Sequence, residues 1–146
     1  MTRSMTWTLV AAVGLVLGIF GGNGIGAEDH PHNEHFATCA KTCADCMNSC
    51  ASCYQHCAAL VAAGKNDHEK TMKLCNDCAE LCGVAAKLAA RQSTLSALAC
   101  EACAKACDQC ATACEKFPDD KHMAACAKSC RDCARECREM IKHVAN

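Results

Sequence analysis

The sequence predicts an all-α protein, an antiparallel up-down-up-down four-helix bundle with a cysteine-lined core. Three observations carry that prediction. The 18 cysteines of this 146-residue chain fall into four clusters, and within each cluster they recur every three or four residues. That rhythm places each cluster along one face of a helix. Short segments with helix-stopping and helix-starting residues separate the clusters, and short loops between long helices make antiparallel neighbours. Finally, Leu, Ile, Val and Phe number only 12 between residues 28 and 146, too few for an ordinary core, so Ala and Cys must fill it.

The elements follow in chain order. Residues 1–27 read as a secretory signal peptide, with Arg3, a 12-residue apolar run (LVAAVGLVLGIF, 9–20) and small residues up to Ala27. That run is too short to cross a bilayer. The expectation is cleavage after Ala27, export to the periplasm or the extracellular space, and no stable membrane insertion afterwards. Residues 28–35, EDHPHNEH, read as a flexible His-containing segment, and the bundle occupies 36–146. A cut after Ala27 exposes Glu28-Asp29-His30, whose amine, two backbone amides and imidazole suit square-planar Cu(II); His32 and His35 add local metal affinity.

Helix one is expected from Phe36 to Ala63, carrying Cys39, Cys43, Cys46, Cys50, Cys53 and Cys57 and ending at Gly64. Asn66 and Glu69 form the pattern of a capping box for helix two, which bears Cys75, Cys78 and Cys82 and runs to Arg91. Ser93 and Thr94 are candidate caps for helix three, with Cys100, Cys103, Cys107, Cys110 and Cys114, stopping before Pro118. Asp119 and Asp120 open helix four, with Cys126, Cys130, Cys133 and Cys137. Lys41, Asp45, Lys73, Asp77, Lys105, Asp108, Lys128 and Asp132 fall on the outward faces. The inward rhythm extends to Phe36, Leu60, His68, Thr71, Ala85, Ala89, Phe117, Met123 and Met140.

Thiols on an interior face have three readings. Disulfides along one stripe are strained, because residues three or four apart hold their Cβ atoms about 5–6 Å apart and a disulfide wants about 3.5–4.5 Å. Bridges between helices are feasible, which leaves a disulfide-stapled helical binding protein as an alternative. Purely structural thiols give no reason to prefer Cys over Ala or Val at nearly every inward position. The third reading is metal, since a soft thiolate array suits Cu(I), zinc or iron–sulfur clusters. Buried thiolates need cations to neutralise them. If each thiolate bridges two Cu(I) ions and each ion takes two thiolates, the 18 cysteines hold about 18 ions and the core is neutral. Zinc balances the charge at half that number but demands tetrahedral sites. The ferredoxin run C-x2-C-x2-C-x3-C-P is missing.

Other functions find little support. Basic and acidic side chains number 15 and 16 and are mixed along the chain, so no nucleic-acid partner is expected. No Ser/His/Asp set, carboxylate pair or phosphate loop suggests an enzyme.

The cysteine-lined helices and the closing CEKFPDDKHMAACAKSCRDCARECREM resemble the exported four-helix-bundle copper storage proteins, over most of residues 28–146. The resemblance implies multiple Cu(I) ions held by cysteine thiolates inside the bundle and a homo-oligomer. It also implies copper donors and copper-requiring proteins of the cell envelope as partners. Exported family members often carry twin-arginine signals, whereas only Arg3 precedes the apolar run here. His56 directly before Cys57 matches the family's QHC-like segment at the open end of the bundle. Leu60 and Ala63 stand where the family places methionines, so His68 or Met72 is the expected substitute. Antiparallel succession gathers His56, His68, Met72, His122 and Met123 at one pole. Of these, His56, His68 and Met123 are the candidate ligands beside the cysteines, and Met140, Met47 and His143 are assigned to packing or surface.

Overall fold

The computed structural model describes residues 31–144. Four helices account for nearly all of them: α1 (Pro31–Ala62), α2 (Glu69–Ala90), α3 (Ser96–Cys114) and α4 (Lys121–Val144), with one turn of 3-10 helix, Asn66–His68, before α2. Helix α1 packs on α2 and α4, and α3 packs on the same two. The cross-section is therefore a square with α1 opposite α3 and α2 opposite α4, the expected four-helix bundle.

The helix boundaries refine the expectation. Helix α1 starts at Pro31 rather than Phe36, with Glu34 in its first turn. A proline suits the first helical position and a carboxylate there favours the exposed N–H groups. The stretch from Pro31 to His35 is thus helical. The signal segment and Glu28-Asp29-His30 lie outside the described residues.

Gly64 ends α1 as expected: at φ +88°, its N–H donates to the Val61 carbonyl (2.9 Å) while Lys65 N–H donates to that of Leu60 (3.0 Å). This is a Schellman closure. Helix α2 ends the same way at Gln92, φ 51°, with Gln92 N–H on the Ala89 carbonyl (2.9 Å) and Ser93 N–H on that of Leu88 (3.0 Å).

Two expected caps do not form. The residue before α2 is His68 and no side chain caps it; Asn66 is taken up by the 3-10 turn, and Glu69 accepts from Lys73 Nζ at 2.6 Å instead. Leu95, not Ser93 or Thr94, takes the N-cap position of α3. Ser93 Oγ accepts from Leu95 N–H (3.3 Å), and the buried Ser96 hydroxyl donates to the Leu88 carbonyl (3.0 Å), tying the start of α3 to the end of α2. Asp120 does open α4, its Oδ1 accepting the N–H groups of His122 (2.9 Å) and Met123 (3.2 Å).

The core is made of sulfur and small residues. Every cysteine is at most 1% exposed, and Met123, Met140, Ala85, Ala89 and Ala111 are fully buried beside them. His68 and Thr71 are buried as the rhythm required, while Phe36, Leu60 and Phe117 are half-buried. Met47 packs against Gly83, where an added Cβ would meet its Sδ at 3.1 Å. Of the outward charges, Lys41–Asp45, Glu69–Lys73, Glu101–Lys105 and Lys128–Asp132 pair one turn apart in solvent, where such pairs contribute little. Asp108 is half-buried because Arg131 and Arg138 of α4 reach across to it.

Candidate metal centre

Helical spacing of three and four turns every cysteine inward, and the square cross-section brings the four columns of sulfur together. Starting where α1 begins, Cys39 Sγ lies 3.5 Å from Cys100, and Cys43 lies 3.5 Å from Cys137 and 3.7 Å from Cys133. Cys103 continues the network, 3.8 Å from Cys133 and 3.5 Å from Cys82. Cys107 is 3.6 Å from both Cys78 and Cys82. Cys46 is 3.9 Å from Cys107 and from Cys130, and Cys50 is 3.4 Å from Cys130. Towards the other end, Cys75 lies 3.6 Å from Cys110 and 4.0 Å from Cys114, and Cys53 4.0 Å from Cys114. The contacts between Cys39 and Cys100 and between Cys46 and Cys107 join α1 to α3, so sulfur links even the diagonal pair.

All 18 cysteines are free and buried, at separations well beyond the ~2.05 Å of a disulfide. The disulfide-stapled alternative is not the arrangement found. Instead the thiols form sets of four with all sulfurs within 4.8 Å of one another, among them Cys43/Cys103/Cys133/Cys137, Cys46/Cys78/Cys107/Cys130, Cys46/Cys82/Cys107/Cys133, Cys50/Cys78/Cys110/Cys130 and Cys53/Cys75/Cys114/Cys126. Four columns of sulfur side by side thus offer four donors at one level of the bundle. What marks the array is sharing: Cys46, Cys78, Cys107, Cys130 and Cys133 each belong to two sets. Thiolates shared in this way could bridge neighbouring ions rather than hold a row of separate tetrahedral ones.

Electrostatics give the same picture. Burial, with Cys53 next, pushes the Cys57 thiol up to about 12. Hydrogen bonds, first from Cys107 and then from Cys130, hold Cys46 below the ordinary thiol range, while Cys107 is pushed above it, first by Cys103. One thiolate is supported only by neighbours that stay protonated. Emptying the array of protons requires cations in their place.

Of the further candidates, Met123 joins the sulfur network. Its Sδ accepts from Cys53 Sγ at 3.4 Å and from Cys57 Sγ at 3.7 Å. His56 stands at the same end, half-buried, with Nε2 2.7 Å from Asp120 Oδ2. Its ring stacks on that of His122 (centroids 4.6 Å apart), and His122 Nε2 lies 3.3 Å from Ser52 Oγ. Asp120 is thereby a hinge of the site as well as a cap, a role that its place at the start of α4 did not reveal. Burial works against the ionised Asp120, but His56 and the two backbone N–H groups outweigh it and hold the carboxyl below its usual range. His68 is drawn elsewhere, with Nδ1 2.8 Å from Asp67 and its ring stacked on Phe117 at 4.0 Å. Met72 is half-buried against the core. Sequence reasoning also missed a pair at the opposite end, where His35 stacks on His143 at 3.5 Å. Both continue the three-and-four rhythm, His35 four residues before Cys39 and His143 three after Met140.

Comparisons with known proteins agree with this geometry. Among curated proteins none matches the chain. A Cu(I)-bound copper storage protein, BsCsp3, is 34% identical with a TM-score of 0.67, over 73% of this chain and 98% of that one. The apo form of copper storage protein 3 from Bacillus subtilis gives 34% identity and a TM-score of 0.62, over 70% and 95%. A cytosolic copper storage protein from Streptomyces lividans, described with five coppers, is 25% identical with a TM-score of 0.69, over 76% and 95%. The profile of the copper storage protein family matches residues 32–142, essentially the whole bundle. The shared fold and this match make the chain a member of the copper storage protein family.

Proposed function

We propose that the protein stores Cu(I), holding many ions on the thiolates of its 18 buried cysteines. The observation that carries this reading is the sulfur network itself, continuous along the bundle and built of shared four-thiol sets. Copper is cargo, and no catalytic role is assigned. At the His56 end the imidazole and the Met123 thioether receive the ion, and Cys53 and Cys57 take it onward. Each thiol recruited gives its proton to water as its sulfur binds copper, so charge is conserved as the array fills.

The store serves the cell envelope, exchanging copper with donors and copper-requiring proteins there, as a homo-oligomer. Support for export is the character of residues 1–27, whereas the Streptomyces lividans protein is described as cytosolic. Fractionation of copper-grown cells tests both halves of the reading. The expected result is a chain lacking its first residues in the envelope fraction, isolated with many coppers and little zinc or iron. A full-length cytoplasmic chain would contradict export, and zinc as the dominant metal would contradict copper storage.

A further inference from the structure

Histidines pair across α1 and α4 at both ends of the bundle. Where α1 finishes and α4 starts, His56 stacks on His122, and the next residue of α4, Met123, is fully buried. Where α1 starts and α4 finishes, His35 stacks on His143 with centroids 3.5 Å apart and planes 16° from parallel. Met140, one turn before His143 on the same face of α4, is again fully buried. The second end therefore carries the same residue types as the first: an imidazole pair, a buried methionine and buried thiols.

The thiols behind this pair are in contact with one another. One turn along α1 from His35 is Cys39, whose Sγ is 3.5 Å from Cys100 and 3.9 Å from Cys43. Cys43 in turn is 3.5 Å from Cys137, the residue one turn before Met140. Both histidines are half-buried, so solvent reaches them while the thiols behind are sealed. Among the described residues, neither His35 nor His143 has a hydrogen-bond partner for its ring nitrogens, in contrast to His56 on Asp120 and His122 near Ser52. The two rings lie within 3.5 Å of each other, and the broad terminal torsion of histidine lets both turn a nitrogen towards one ion.

We infer that His35 and His143, with Met140, form a second soft-metal site, a Cu(I) port at the far end that feeds Cys39 and Cys100 independently of the His56 end. This rests on the copper reading above. The transfer is ligand exchange: copper leaves imidazole nitrogen for sulfur, the thiol proton goes to water, and no electron moves.

The test is stopped-flow transfer of Cu(I) from its bicinchoninate complex to the reduced protein without oxygen. The wild type is compared with H56A/H122A, H35A/H143A, the quadruple alanine variant, and H35F/H143F, which keeps two rings but no donor nitrogen. Capacity at saturation scores the storage reading, and rate ratios score the port, so the two fail separately. The port predicts that each double alanine variant slows transfer only a few-fold, because one end stays open, while the quadruple variant slows at least tenfold with helicity intact. It also predicts that the phenylalanine pair is as slow as its alanine counterpart. A quadruple variant no slower than H56A/H122A would overturn the port. So would wild-type rates in the phenylalanine pair, which would make the histidines packing alone.

Discussion

Met123 shows how much one residue can separate chemistry from packing. It is fully buried, and its Sδ meets the thiols of Cys53 and Cys57. Replacement by leucine keeps nearly the same volume, and such swaps in a core cost less than about 1.5 kcal/mol. Met123→Leu is therefore expected to melt close to the wild type and to hold as much copper, but to take up its first ions several-fold more slowly. Unchanged early kinetics would place Met123 in packing only. The inward position of Met123 was legible from the rhythm of α4, since it lies three residues before Cys126. The partners of the histidines were not. Asp120 reaches His56 from the far side of the chain, and Phe117 takes His68. Local spacing says which way a side chain points but not what another helix brings to meet it.

Among the elements, the start of α4 carries the most function, because Asp120 caps the helix with one oxygen and holds His56 with the other. Asp120→Ala is expected to cost about 1 kcal/mol of stability at neutral pH, the usual value of a lost cap. The folded carboxyl titrates below its ordinary range, so its stabilisation is present above the unfolded value of about 3.9 and is lost as pH falls through the folded one. The wild type and Asp120→Ala should thus converge in denaturant midpoint under strongly acid conditions. A gap that persists there would remove the charge from the explanation. Gly64 and Asp120 announced their helix ends because each meets a local backbone need. Gln92 did not: a left-handed residue without glycine follows from the short link that Ser96 and Leu88 draw tight between α2 and α3. The capping box at Asn66 failed for a similar reason, its residues having been taken into the 3-10 turn.

At the scale of the whole molecule, the fold was legible because one residue type does two jobs. Cysteine marks the inward face of every helix, and it is also the donor set, so core and site coincide. What the stripes could not tell was how four of them interleave, which is why the shared four-thiol sets emerge only from the assembled square. The same array sets a pH dependence. Cys57, pushed up to about 12 by burial first, is protonated at neutral pH and must release a proton when copper binds. Copper retention against a fixed competitor is therefore expected to rise from about pH 6 to about pH 8, with protons released as ions bind. Retention that ignores pH would mean the ligands are not thiols. A store is defined by its capacity, which an anaerobic titration of the reduced protein with Cu(I) against a chromophoric competitor measures. With 18 free buried cysteines, the expected result is tight uptake of roughly one ion per cysteine, about 18 in all. Saturation after only one to three ions, about the load of a simple carrier, would contradict storage.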